Sequence, residues 1–269
     1  MKFFYYFNKL ISGKYSFRFL LGAFLYKTKL CYLFHIEQHG FILKFYPSML
    51  SLTLWVEPEA KNHDIDFLSK YLKRGDVFID IGANIGQLSL QALQIVKDKG
   101  KVISIEPHPK VFSYLRGNVE INNNLDVIKL FNCAVGSEDA KILFTDKVSD
   151  DQNRINLDDK IGLTVDVKTL DSLLDERLIV DILKIDVEGF EYFVLMGSEQ
   201  VLKRTKYVYY EAWEEHFSKF NYNTSDILTF LEKRDFSNYQ INSNYTLTRI
   251  PNNYRALKCE NLFSINNNL

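Results

Sequence analysis

The chain has little cysteine and no visible way of pairing it. Cys31, Cys133 and Cys259 are three in 269 residues, far apart and without a paired spacing. That excludes a disulfide framework and a spaced zinc motif, and points to a reducing compartment, the cytoplasm. A long apolar run is missing as well. The longest near the N-terminus, Phe19 to Tyr26, is too short to span a bilayer and is edged by Arg18 and Lys27. No small-residue cleavage pattern follows it, so a signal peptide is not expected. There is no overall cationic field, since net charge is −1, and nucleic acid is not an expected partner. No repeat at solenoid periods is present. Acid is absent from one end only: residues 1–36 carry Lys2, Lys9, Lys14, Arg18, Lys27 and Lys29 and no carboxylate, a charge of +6 against −7 for the remainder.

What is present suits one large core: 46% of the residues are hydrophobic and 25% charged, the balance of a globular domain with extensions. Phe3, Phe7, Leu10, Phe17, Leu21 and Phe24 recur at helical spacing with cations between them, interrupted at Gly13 and Lys14. This predicts one or two amphipathic helices that either cap the core or lie on a membrane surface, with residues 1–30 meeting anionic headgroups through their lysines. His35 and His39 stand four apart, but the alternating Phe41-Ile42-Leu43-Lys44-Phe45 that follows reads as strand rather than as a metal-binding helix. Leu50 to Val56 reads as a second strand, and Ile65, Leu68 and Leu72 as one face of a helix stopped at Gly75.

The stretch Val77-Phe78-Ile79-Asp80-Ile81-Gly82-Ala83-Asn84-Ile85-Gly86 organises the rest. An unbroken apolar run ending in an acid and two close glycines describes a buried parallel strand that turns directly into a helix, here about Gln87 to Lys99. Further strands are expected at Lys101 to Glu106, Val127 to Val135, Val180 to Asp186 and Tyr207 to Glu211. Helices are expected from Pro109 to about Asn122 and from Gly189 to Lys203. Ile142 to Phe144 and Thr164 to Val167 read as short strands flanking a polar stretch, Asp146 to Lys160. From Ser225 the pattern is a helix, then two or three antiparallel strands through Phe263. Strand alternating with helix over short links is the signature of an α/β, doubly wound, mostly parallel sheet.

Glu106 lies 24 residues after Gly82, at the end of the neighbouring strand, where a carboxylate can accept both ribose hydroxyls of an adenosine cofactor. That alone would suit a nicotinamide dinucleotide, but Gly82-Ala83-Asn84-Ile85-Gly86 lacks the third glycine of the pyrophosphate fingerprint. Asp80, just before the turn, repels a pyrophosphate and attracts an ammonium group. S-adenosylmethionine carries such a group, a cationic sulfur and no phosphate.

Four motifs, Asp80-Ile81-Gly82-Ala83-Asn84-Ile85-Gly86, Glu106, Thr169-Leu170-Asp171 and Leu183-Lys184-Ile185-Asp186-Val187-Glu188-Gly189-Phe190-Glu191, together resemble the FkbM-type methyltransferases, a class I S-adenosylmethionine-dependent family. The resemblance covers roughly residues 54–213. It implies a Rossmann-like methyltransferase sheet of seven strands with a reversed last pair; the chain divides into that domain over 54–269 and an N-terminal helical or hairpin extension over 1–53, whose first 50 residues the resemblance does not carry. It implies methyl transfer to oxygen, often on a sugar or natural-product hydroxyl. Position by position, it puts Asp80, Gly82, Asn84 and Gly86 around the methionyl part of the cofactor, Glu106 on the ribose and Ala134 near the adenine.

Asp186 and Glu188 end the strand beside the first and face the same crevice. A protonated alcohol is a poor nucleophile, so a base is required, and the candidates are Asp186 first, Glu188 second and His216 third. Asp186, Glu188 and Glu211 also offer hard oxygen ligands to a divalent ion, although a metal is not expected. Lys184 is expected to pair with an acid, and Glu191 suits a structural role as well as a functional one. The leading expectation is an O-methyltransferase acting on a glycan, lipid-linked sugar or related metabolite. A nicotinamide-dependent oxidoreductase and a non-catalytic binding protein on the same fold are the alternatives. Asp186-Val187-Glu188-Gly189 at the fourth strand argues against a nucleobase or amide nitrogen as acceptor.

Overall fold

The computed structural model describes residues 16–60, 62–123, 127–144 and 162–269. The expected helical positions Phe3, Phe7 and Leu10 and the whole polar stretch Asp146 to Lys160 lie outside the described residues. Helix α1 (Ser16–Thr28) leads into a 3-10 turn and an antiparallel hairpin, β1 (His35–Gln38) and β2 (Phe41–Lys44). His35 and His39 are both exposed in this hairpin and share no helical face. Residues 50–56, expected as a strand, are instead helix α2 (Met49–Val56). Ser48 caps it, its side chain accepting from the Ser51 amide, as serine does at a helix start. Helix α3 (Asn62–Tyr71) buries Ile65 and Leu68 as expected, and Leu72 is buried just beyond it.

The central sheet has eight strands rather than seven. Its middle is built from β3 (Val77–Ile81), β4 (Lys101–Ile105), β5 (Ile128–Phe131), β9 (Val180–Ile185) and β10 (Thr205–Ala212), all parallel. Beyond β10 come β13 (Glu260–Asn266), antiparallel to it, then β11 (Phe236–Ile241), and finally the short edge strand β12 (Leu247–Arg249) that accounts for the extra member. The spatial order is β12-β11-β13-β10-β9-β3-β4-β5. The chain moves from β3 outward to β5 and then returns to place β9 on the other side of β3. That makes the gap beyond Ile81 and Ile185 the topological switch point, where ligands of such sheets sit.

Both faces of the sheet are covered, which is why β3 and β9 read as continuous apolar runs. Phe78 and Ile182 join the core beneath α2, α3, α4 (Gln87–Val96) and α5 (Pro109–Ile121), while Ile79, Ile81 and Leu183 join the other. Leu25, Ile36 and Leu43 of the extension lie in the first core together with Phe78, so the extension packs on the sheet's helical layer.

Two further expectations are refined. The stretch Val127 to Val135 is not one strand: β5 ends at Phe131, and Ala134–Val135 (β6) belongs to a separate three-stranded sheet with β8 (Leu163–Lys168) and β7 (Ala140–Phe144). Asn132 makes the break, its side-chain amide donating to the carbonyls of Glu106 and Pro107. The helix expected over Gly189 to Lys203 is two short ones, α7 (Glu191–Met196) and α8 (Glu199–Leu202), divided at Gly197. A Cβ at Gly197 would stand 1.9 Å from the Gly136 carbonyl oxygen, so the helix is broken where it meets the loop after β6.

Candidate active site

The turn after β3 is fixed by sterics. Gly82 has φ +77°, and a Cβ there would lie 1.8 Å from the Asp186 carbonyl oxygen, closer than any side chain tolerates. The Asp186 amide donates to Ile81 O at 3.0 Å, so the ends of β3 and β9 are joined through backbone on both sides. Asn84 also has positive φ, +50°, and its Oδ1 accepts from the Ile85 amide. Gly86 takes φ +87° and starts α4, and its missing Cβ makes room for Leu115 of α5. Gly86 serves that helix packing and does not line the cleft.

Sheet register places Lys184, Asp80 and Ser104 side by side on adjacent strands, hence on one face. Asp80 is fully buried, with Oδ1 2.9 Å from Lys184 Nζ and Oδ2 accepting from Ser89 Oγ at 2.6 Å; Ser104 donates to Ser89 in turn. Lys184 also donates to Gly82 O and lies 3.6 Å from Asp186 Oδ2. Burial works against the lysine's charge, but Asp80 and Asp186 outweigh it and its pKa lies above the ordinary value. The expected pairing of Lys184 with an acid is therefore present. It has a consequence for Asp80, which reaches the cleft with both oxygens already engaged inside the protein.

Glu106 follows β4 and lines the same cleft. Its Oε2 accepts from the Asn84 amide at 3.0 Å and its Oε1 from the His108 amide at 2.9 Å, which ties the β4 end to the glycine turn. Burial pushes its pKa up to about 7, with the two amides holding it from rising further. Ala134, with Cys133 and Val135, lines the cleft from the smaller sheet.

Asp186, Glu188 and His216 converge at the carboxyl end of β9. His216 Nδ1 lies 3.5 Å from Glu188 Oε2, and Glu188 adopts φ +56° in the turn before α7. Glu211, at the end of β10, joins them: Asp186, Glu188 and Glu211 each offer an oxygen within 4.8 Å of the others. The buried Glu191 explains the turn's shape, accepting from the Val187 and Gly189 amides at 3.0 and 3.3 Å. Its pKa is raised by burial to about 8, and it is a positioning residue outside the cleft. Thr169 and Asp171 are also structural: Thr169 caps the short helix α6 (Leu170–Leu173) after β8, and Asp171 accepts from the Gln200 and Val201 amides at the start of α8.

All of these cleft groups border one cavity of about 1240 Å³, room enough for a nucleoside and an acceptor together. Sequence reasoning missed part of its wall. Asp64 of α3 accepts from Tyr209 OH at 2.5 Å and from Asn261 Nδ2 at 2.9 Å, and all three line the cleft, as do Trp213 and Cys259. Nothing local marks them, because they come from three distant segments that only the sheet order brings together.

A mostly parallel sheet with one reversed inner strand, an acid–glycine turn at its switch point and a second acid at the next strand end define a Rossmann-like methyltransferase domain. The sequence model of the Methyltransferase FkbM domain matches residues 80–237. The chain belongs to that family. Two curated relatives are each 26% identical: Methyltransferase sdnD of Sordaria araneosa, over 51% of this chain and 66% of its own, and 2-O-methyltransferase NoeI of Sinorhizobium fredii, over 52% and 64%. The matched region thus spans just under two thirds of each relative. A crystal structure of Methyltransferase FkbM from Methylobacillus flagellatus is similar at 15% identity and TM-score 0.46, covering 80% of this chain and 54% of that one.

Proposed function

We propose that the chain transfers a methyl group from S-adenosylmethionine to a hydroxyl of a sugar, glycan, lipid-linked saccharide or related metabolite. The observation that carries this reading is the convergence of Asp186, Glu188 and His216 at the same strand ends as the Gly82 turn and Glu106, around one cavity. The donor set fits the cofactor. Carboxylates from Glu106, Asp186 and Glu188 suit a cationic nucleoside, and the buried cation beside them, Lys184, is neutralised by Asp80 and Asp186. A dinucleotide would bring two phosphates against the same acids, which disfavours the oxidoreductase alternative.

The cofactor supplies an activated methyl group. Glu106 accepts from the ribose hydroxyls with lone pairs its two amide bonds leave free. Asp80 and Lys184 fix the turn and its field. Asp186 takes the proton of the acceptor hydroxyl, and Glu188, paired with His216, orients the acceptor and passes that proton toward solvent. The hydroxyl as acceptor draws support from the 2-O-directed relative, and the acidic wall suits an uncharged polyol over a phosphorylated one.

A second reading follows from the geometry of Asp186, Glu188 and Glu211, whose oxygens are close enough to hold one divalent ion against the acceptor. The test is methyl transfer from labelled S-adenosylmethionine to a panel of sugar and glycan acceptors. Asp186→Asn is expected to lower kcat by roughly 10²–10⁴-fold with a much smaller loss of cofactor affinity. Chelation leaves a base mechanism intact, whereas activity lost to chelator and restored by magnesium or manganese assigns the carboxylates to a metal. NADH binding without S-adenosylmethionine binding overturns the proposal.

A further inference from the structure

Helix α1 packs on the described core through the side that carries Gly22 and Leu25. Gly22 approaches α2 so closely that a Cβ would stand 2.7 Å from Trp55 Cδ1 and 2.9 Å from Leu52 Cδ1, and Leu25 is buried in the core. The opposite face presents Phe17, Leu20 and Phe24 at helical spacing, 75%, 59% and 56% exposed. Leu33, in the 3-10 turn that follows the helix, is 74% exposed. Isolated apolar side chains on a surface are ordinary, but a contiguous row on a firmly docked helix marks a contact face. Lys27 and Lys29 lie along the same segment, Arg18 lies over the Trp55 ring, and no carboxylate occurs between Ser16 and Ile36.

We infer that this ridge docks the chain on an anionic lipid bilayer, lying in the interfacial plane with its aromatics among the acyl chains and its cations at the headgroups. The charge decides the occupant. A second copy meeting this face would set like cations against each other, whereas acidic lipid complements them. No helix among the described residues is long and apolar enough to cross a membrane, so the contact is peripheral. Helix α2, on which α1 rests, also lends Leu50 and Thr53 to the cleft, so docking sets the cavity beside the lipid surface.

Co-sedimentation of the full chain with phosphatidylcholine vesicles, with and without phosphatidylserine, tests this. Binding is expected with the anionic vesicles and is expected to weaken with salt. The triple variant Phe17→Ser, Leu20→Ser, Phe24→Ser should lose roughly a hundredfold in affinity. The control Ile179→Ser, at an exposed position elsewhere, should bind as the parent does. Unchanged melting and cofactor titration show that the triple variant folds. Vesicle binding unaffected by the triple change, no vesicle binding at all, or a ridge-dependent dimer in its place each overturn the inference.

Discussion

Glu106 makes the cofactor's affinity a function of pH under the proposed function. Its pKa of about 7 against an ordinary 4.5 means that the carboxylate is half protonated near neutrality, and burial is the cause. A protonated carboxyl loses acceptor capacity toward the ribose hydroxyls, so tight binding requires the charged form. With that pKa, the charged fraction is about a tenth at pH 6 and about nine tenths at pH 8. Affinity for S-adenosylmethionine should therefore rise about tenfold between them, or about 1.4 kcal/mol. Glu106→Gln keeps the size but not the charge; it should bind more weakly than the parent at pH 8 and show almost no slope. Isothermal titration at pH 6, 7 and 8 reads both. A flat parent profile, or the same slope in the variant, would refute the assignment of Glu106 to the ribose.

Folding stability should run the opposite way. Glu106 and Glu191 both have folded pKa values above the unfolded 4.5, so the stability they confer is complete below pH 4.5 and is lost as pH rises through about 7 and 8. Calorimetric melting should fall across pH 5 to 8, less steeply in Glu191→Gln, and a steeper fall in that variant would contradict the burial argument. Gly82→Ala should destabilise by more than about 2 kcal/mol in urea unfolding, since it combines a positive φ with a clash against fixed backbone; a neutral result would mean that β3 and β9 can part without cost. Trp213 borders the cleft, whereas Trp55 is stacked on Phe45 beneath α1, so cofactor quenching should vanish in Trp213→Phe and survive Trp55→Phe.

The frame was legible where local pattern and burial agree. Buried runs at Val77–Ile81 and Val180–Ile185, each ending in chemistry-bearing residues, mark the switch point without reference to the rest of the chain. Legibility failed at Leu50–Val56, where Leu-Ser-Leu-Thr-Leu alternates like a strand. The helix that forms there has partners all round: Ser51, Leu54 and Val56 are buried, Leu52 and Trp55 meet α1, and Leu50 and Thr53 meet the cleft, so no single apolar stripe survives in the sequence. The role of Asp80 was half visible. Its place before the turn could be read, but the ion pair that engages it depends on the register of β3 against β9, which spacing alone does not fix. Truncating residues 1–30 would not isolate the role of the extension, because it would take Leu25 out of the core.

The contact between Gly82 and the Asp186 carbonyl welds the glycine turn and the candidate base into one rigid body. Neither can shift without the other, so under the proposed function changes that redirect the chain toward a different acceptor have little room at the centre. The outer wall is another matter. Glu57–Ala60 and Leu257–Asn261 border the same cavity from segments outside the parallel strands. Variation there can retune which molecule is admitted while the reacting geometry stays put, so new substrate preferences are expected to evolve at the rim.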